Sequence, residues 1–538
     1  MMIARPYQVD LITRAEEAFS RGEVPIIVAP TGAGKTFILS RLVVPHTLLI
    51  AHRRELVSQI SCALALEEIK HSIVGPPMLV RHVIKKQIGK TGRSWLDPTA
   101  TVTVAGVDTL KNKPAAWWIN FRRCLIDEVH HLVRGNKWGK CAEKLPTGCD
   151  LGGVTATPER ADGKGLGRHA SGYADCLIIG PTMRSLIDET HLADFLIYIS
   201  RKSVDLQDVK TGADGDYIPR HLAVATKAAQ ITGDVVGMYQ AHARGLPGLT
   251  FCVDRDHSAE ICQAYNDAGV PAAAVDGTDT AEYREDCLAK LERGELLQIT
   301  SVDLFGEGTD LPEVRAISMV RRTKSLGVFT QQFGRGARKA PGKDRFFVFD
   351  HVDNVIIHHG APDYPREWSL SDRETSGNGS DLGAIAVKMC TNCTMPYKRH
   401  LTKCSHCQHE PKPAHRSMPE QVDGDLYLLD AAGMEALRSA IEEIDHSEAD
   451  ERKRLEKKRV PEIGILAGCK RHRLRQAAQR ELRATMDAWA GEQIHTKGQT
   501  YREAQKTFFL TFGQDCGYAR TLAAGPAAEL QELINDAS

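Results

Sequence analysis

The run Ala29-Pro30-Thr31-Gly32-Ala33-Gly34-Lys35-Thr36 has the residue types that grip a triphosphate. Gly32 and Gly34 let backbone N–H groups curl around phosphate oxygens, with Pro30, Thr31 and Ala33 completing the loop. Lys35 brings a point charge to the β- and γ-phosphates, and the Thr36 hydroxyl is suited to ligate Mg²⁺. Some ninety positions later comes Ile126-Asp127-Glu128-Val129-His130. Holding a metal and activating a water are separate tasks that need two differently placed carboxylates. Asp127 suits the Mg²⁺, and Glu128 suits orienting or deprotonating the attacking water.

A third constellation, Gln331-Gln332-Phe333-Gly334-Arg335-Gly336-Ala337-Arg338, places two arginines three apart on a segment expected to be helical. On one face they can reach a triphosphate held by a facing domain, with Gln331 beside them. Such arginines typically contribute about 10³–10⁵ in rate to phosphoryl transfer. A fourth, Cys390-Thr391-Asn392-Cys393 with Cys404-Ser405-His406-Cys407, is a pair of Cys-x₂-Cys knuckles. Four thiolates so spaced suit a closed tetrahedral Zn²⁺ site, structural because no coordination position is left for a substrate.

These groups need a scaffold. Val24–Val28 is expected to be a buried strand feeding the glycine loop, followed by strands at Thr47–Ala51, Ala100–Val104 and Arg123–Ile126. The last of these delivers Asp127 to the carboxyl end of a sheet, where open α/β sheets bind ligands. A second series follows at Gly248–Val253, Ala272–Val275, Leu296–Thr300 and Arg345–Phe349. Strands alternating with helical patterns predict two α/β lobes with parallel sheets. We place lobe one at 1–185, lobe two at 186–370, a Gly/Ser-rich linker at 371–383, the cysteine module at 384–415 and a mainly helical region at 416–538.

A chain of 538 residues exceeds what one core supports. Its 69 basic and 69 acidic residues cancel, which argues against coating of nucleic acid by bulk charge alone and leaves room for a local basic track. The stretch Glu451–Arg483 is such a track; it reads equally as a solvated helix face. Tyr501, Phe508, Phe509 and Phe512 fall near helical spacing and are read as core. No apolar run is long enough for a membrane span, and the N-terminus lacks a signal-peptide pattern, so the expected location is cytoplasmic with no membrane partner.

In their order along roughly residues 5 to 350, these segments resemble the superfamily-two helicases of the DEAD/DEAH type. The likeness is closer to prophage-encoded helicases and RadD-type DNA repair helicases, which also append cysteine-rich modules. The resemblance implies two tandem RecA-like lobes of the P-loop NTPase kind, with ATP and Mg²⁺ as cofactors beside the Zn²⁺. Arg5-Pro6-Tyr7-Gln8 resembles the adenine-reading segment, which puts Arg5 and Gln8 at the base. Ala51-His52-Arg53-Arg54-Glu55-Leu56 and Val107-Asp108-Thr109-Leu110 resemble the backbone-tracking segments, which makes Arg54 and Thr109 nucleic-acid contacts. Thr155-Ala156-Thr157-Pro158 resembles the segment coupling hydrolysis to lobe movement. Within Thr300–Pro312, Thr300 would face nucleic acid while Gly308 and Asp310 face nucleotide.

The function so implied is an ATP-dependent helicase or translocase acting on single-stranded or branched DNA, in phage replication or in recombination and repair. Replication or repair proteins would be partners through the C-terminal region. An ATP-switched DNA clamp or loading adaptor, and an RNA helicase, share the same motifs. The sequence shows no carboxylate–lysine nuclease constellation, which argues against a restriction motor.

Overall fold

The computed structural model describes residues 3–160, 165–200, 232–302, 311–363, 462–495 and 524–537, together with short pieces and single positions between them. In lobe one the chain runs α1 (Pro6–Ser20), β1 (Pro25–Val28), α2 (Lys35–Arg41), β2 (Thr47–Ala51), α3 (Arg54–Leu66), β3 (Ser72–Val74), α4 (Pro77–Thr91) and β4 (Thr103–Gly106). It continues through α5 (Val107–Leu110), α6 (Ala115–Trp118), β5 (Arg123–Asp127), α7 (Lys137–Ala142), β6 (Asp150–Thr155), β7 (Cys176–Ile179) and α8 (Met183–Asp188).

The seven strands form one sheet in the order β3-β4-β2-β5-β6-β1-β7, with every pair parallel. Helices cover both faces of such a sheet, so its central strands read as unbroken apolar runs rather than alternating ones. Pro25-Ile26-Ile27-Val28 is buried at every position. Order reverses around β1, which puts its carboxyl end, with the glycine loop, in the crevice where doubly wound sheets take ligands.

Lobe two contains β8 (Asp194–Ser200), α9 (Thr232–His242), β9 (Gly248–Phe251), α10 (Arg255–Asp267), β10 (Ala272–Val275), α11 (Ala281–Glu292) and β11 (Gln298–Ser301), then β12 (Ala316–Met319), α12 (Leu326–Gly334) and β13 (Arg345–Asp350). Its sheet has the order β10-β11-β9-β12-β13-β8-β16, where β16 is Leu426–Leu429. The β16 strand runs antiparallel to β8, Leu426 opposite Ser200 and Leu429 opposite Ile197. A strand from the region read as helical thus closes the edge of lobe two.

The boundary drawn at residue 370 also crosses a packing contact. After the π-helical turn Asn354–His359 the chain returns to lobe one. There the Gly167 N–H donates to the Leu370 carbonyl at 2.9 Å, and the Trp368 and Leu370 side chains join the lobe-one core. Arg184 on α8 meets the buried Asp363 at 3.3 Å. In the cysteine module β14 (Val387–Met389) pairs antiparallel with β15 (Pro396–Lys398). Beyond β16, α13 (Glu462–His495) and α14 (Ala524–Ala537) pack around Leu482, Met486, Trp489, Phe508 and Ile534. Phe508 is buried and Phe512 packs against it at 4.8 Å, as core residues do; Tyr501 and Phe509 lie outside the described residues. Among the described residues no helix is long and apolar enough to cross a membrane.

Candidate nucleotide site

The glycine loop leaves β1 and enters α2 through Gly34, whose φ of +83° a side chain would strain, as would the +88° at Gly32. Space closes both positions as well. A β-carbon on Gly34 would lie 2.5 Å from the Gln8 amide nitrogen, and one on Gly32 would lie 2.7 Å from Leu192. The Lys35 ammonium rests on the carbonyl oxygens of Ala29 and Pro30 at 3.3 and 3.4 Å. Burial holds it below the ordinary lysine range, opposed by the facing carboxylates of Glu128 and Asp127.

Those carboxylates stand where β5 ends. Asp127 is 4% exposed and Glu128 is 7%. Glu128 takes a left-handed φ of +53°, an uncommon state for a residue with a side chain and one that clusters at functional sites. Burial, and after it the charge of Glu128, raise the Asp127 carboxyl to about 7. Two crowded, buried carboxylates are a donor set that a hard divalent cation satisfies, so Asp127 with the nearby Thr36 fits Mg²⁺.

Glu128 is wired to the last residue of β6 and, through it, to the segment that follows. The Thr155 hydroxyl lies 3.3 Å from its carboxylate, His130 lies 2.9 Å from that hydroxyl, and the Thr157 N–H donates to the same oxygen at 3.1 Å. Thr157 in turn faces lobe two: a β-carbon on Gly327, in the first turn of α12, would be 3.2 Å from its hydroxyl. At the other end of α12, a β-carbon on Gly334 would sit 2.4 Å from Thr31. The helix therefore lies along the lobe-one surface from Thr157 to the glycine loop.

Arg335 caps α12 and is buried, while Arg338 stands beyond the helix, because the regular turns stop at Gly334. Both arginines and Gln331 nonetheless line the same cleft of about 1380 Å³ as Lys35, Thr36, Asp127 and Glu128. That volume exceeds the usual range for a small-molecule pocket. The cleft continues between α3 and α4 of lobe one and α11 of lobe two, where His82 meets Glu285 at 2.7 Å and Glu55 meets Arg284 at 3.3 Å.

Other expected contacts fall elsewhere. Gln8 is buried, with its oxygen accepting from the Arg5 N–H at 3.0 Å and its nitrogen donating to the Ala33 carbonyl at 3.0 Å, so its amide already serves as a tether between α1 and the loop. Thr300 is fully buried in β11, where its hydroxyl donates to the Ser258 carbonyl and accepts from the Ser258 hydroxyl, both at 2.9 Å. It is not presented to a ligand; the strand register turns it onto α10. The Thr109 hydroxyl is spent on the Gly106 carbonyl at 2.6 Å, whereas Arg54 is exposed at the start of α3 and lines the cleft. Gly308 and Asp310 lie outside the described residues, as does Cys393. The sulfurs of Cys390, Cys404 and Cys407 lie within 4.8 Å of one another, with Cys390 and Cys407 at 3.5 Å. Sequence reasoning missed His191 and Leu192, which reach the nucleotide loop from the start of lobe two; a lone histidine after a short helix carries no spacing signal.

Comparison with known proteins agrees with this architecture. Residues 1–160 match the family described as "Type III restriction enzyme, res subunit", and residues 233–340 match the "Helicase conserved C-terminal domain". The 51.5 kDa protein of Lactococcus phage (isolate 7-9) is 25% identical over 416 residues, 75% of this chain and 82% of the phage protein. The irc3 protein of Schizosaccharomyces pombe, named as a mitochondrial ATP-dependent helicase, is 28% identical over 65% of this chain. This chain spans 57% of that relative's own length. Among solved structures, a fragment described as the HsdR subunit of a type I restriction enzyme from Vibrio vulnificus YJ016 superposes with a TM-score of 0.50 at 19% identity, covering 68% of this chain and 67% of that one.

Proposed function

This chain is a superfamily-two helicase, a nucleic-acid-dependent ATPase, and from that premise we propose that it is a DNA motor. In this reading ATP hydrolysis in the cleft moves the two lobes on single-stranded or branched DNA, in phage replication or in recombination and repair. The observation that carries it is the shared cleft: Arg335 and Arg338 of lobe two line the same space as Lys35, Asp127 and Glu128 of lobe one.

The loop N–H groups and Lys35 hold the phosphates. Glu128, steadied by Thr155 and His130, orients the attacking water and takes its proton. Thr36 and Asp127 would hold Mg²⁺, which would supply neutralising positive charge to the phosphates. Arg335 and Arg338 meet the charge that develops on the transferred phosphoryl group. Because only the closed arrangement lets the arginines reach it, ATP favours closure and hydrolysis removes that preference. The chain Glu128–Thr155–Thr157–Gly327 carries the change to α12 and so to lobe two. Arg54 contacts the DNA backbone. Cys390, Cys404 and Cys407 would hold a structural Zn²⁺, with Cys393, which lies outside the described residues, expected as the fourth ligand. The C-terminal region forms a mainly helical domain that binds DNA or a partner protein.

DNA as the track follows from the resemblance to prophage and RadD-type helicases. The test is the ATPase rate against single-stranded, duplex and forked DNA and RNA of the same sequence, with strand displacement measured alongside. DNA-stimulated hydrolysis with displacement is expected. Stimulation by RNA alone would overturn the choice of DNA, and stimulation without displacement would favour an ATP-switched clamp.

A further inference from the structure

The segment leading into lobe two ends α8 in an unusual way. Thr190 has a φ of +62°, a costly state for a β-branched residue. The turn is tied down by the N–H groups of Thr190, His191 and Leu192, which donate to the carbonyls of Ile187, Leu186 and Leu186 at 2.9, 2.8 and 3.0 Å. Strain held in place by surrounding bonds is a pointer to function. Its result is to drape the next residues over the nucleotide loop: Leu192 covers Gly32, and the His191 imidazole comes 5.7 Å from the Tyr7 ring. His191 lines the cleft together with Arg5, with a quarter of its side chain exposed.

The polar groups around it define what that corner takes. The Tyr7 hydroxyl donates to the Ala33 carbonyl at 2.8 Å and accepts from Arg5 at 3.1 Å, and Gln8 has both amide ends engaged. The conventional reader of the base edge is therefore occupied in holding α1 to the loop. Lining the cleft beside them are two planar groups, the His191 imidazole, with Glu189 at 3.5 Å, and the Arg5 guanidinium. Planar groups of this kind bind nucleobases by stacking, whatever hydrogen bonds the base edge makes. Lys35 and Arg335, the groups suited to phosphate, line the same cleft.

We propose that His191 is a nucleotide-binding residue that stacks on the base of the triphosphate, so that the base as well as the γ-phosphate is held from both sides of the lobe boundary. This rests on the nucleotide-site reading above and deepens it. The first consequence is a separation of binding from chemistry. His191→Ala should raise KM for ATP about tenfold, the effect of losing one stacked contact, with kcat kept within about twofold. His191→Phe should restore KM. Inhibition by inorganic tripolyphosphate, which has no base, should be the same in wild type and His191→Ala.

A second measurement uses the unaltered chain. Irradiation with 8-azido-ATP should label the peptide containing Glu189–Ala193, and excess ATP should suppress the label. An unchanged KM in a folded His191→Ala variant would overturn the proposal, as would a label confined to α1 or an equal loss of tripolyphosphate binding. If the wild type neither binds nor hydrolyses ATP, the nucleotide-site reading itself fails. If it does both and the label avoids 189–193, only the role of His191 fails.

Discussion

Replacing Gly334 by alanine adds a single methyl group at the place where α12 rests on the nucleotide loop. That methyl would lie 2.4 Å from both Cβ and Cγ2 of Thr31 and 3.0 Å from its hydroxyl. Carbon atoms at rest stand about 3.5–4.0 Å apart, so the helix end must retreat by roughly 1 Å or more. Arg335 is the next residue and moves with it. A misplacement of about 1 Å in groups that act on the transition state costs on the order of 10²-fold in rate. Local backbone preference works the other way: Gly334 is not among the residues of positive φ, and alanine in a helix is favoured over glycine by about 1 kcal/mol. Stability of the isolated lobe should therefore hold or rise while turnover falls. The assay is steady-state ATP hydrolysis at saturating nucleic acid, with nucleotide affinity measured separately. We predict kcat lower by about 100-fold with ATP affinity little changed. Wild-type kcat in Gly334→Ala would refute the contact between α12 and the loop as the working closed state.

Lys35→Ala and Glu128→Gln should each abolish hydrolysis, the second with ATP binding retained; normal turnover in either purified variant would remove the site assignment. His71 is fully buried, with Ser61 at 2.6 Å and the Ile69 carbonyl at 2.8 Å, and burial lowers its pKa from 6.5 to about 4. Its neutral form is the folded one, so its contribution is fully present above pH 6.5 and is lost as pH falls toward 4, about 3 kcal/mol at the limit. Thermal melts of lobe one at pH 7 and pH 4.5 should therefore diverge more in wild type than in His71→Gln, and equal divergence would contradict the assignment. Elemental analysis should find about one Zn²⁺ per chain, lost with Cys404→Ser; folded protein free of metal would count against the cysteine site.

The phosphate loop, Asp127-Glu128 and Arg335-Arg338 could be singled out in the sequence because each is a short run of distinctive residue types, and the fold brings them to one cleft. Strands were legible for a related reason: buried on both faces, they read as apolar runs, though their limits moved. The strand expected at Ala100–Val104 is found at Thr103–Gly106, because the turn of Asp97–Ala100 takes the first residues. The arginines were expected on one helical face, yet the helix ends before Arg338, and their approach to lobe one depends on Gly334 fitting against Thr31, a contact across some 300 residues of chain. Thr300 was misjudged because a threonine at a strand end looks the same in sequence whether it faces a ligand or Ser258. The pairing of β16 with β8 and the return of Trp368 to lobe one were invisible, since neither leaves a local pattern.

The central claim is that cations from lobe two complete a phosphate cradle built by lobe one. A structure with a transition-state mimic of ATP bound tests it most directly. The account predicts a guanidinium nitrogen of Arg335 or Arg338 within about 3 Å of the γ-phosphate oxygens. Both side chains turned away from the phosphates in that complex would contradict it.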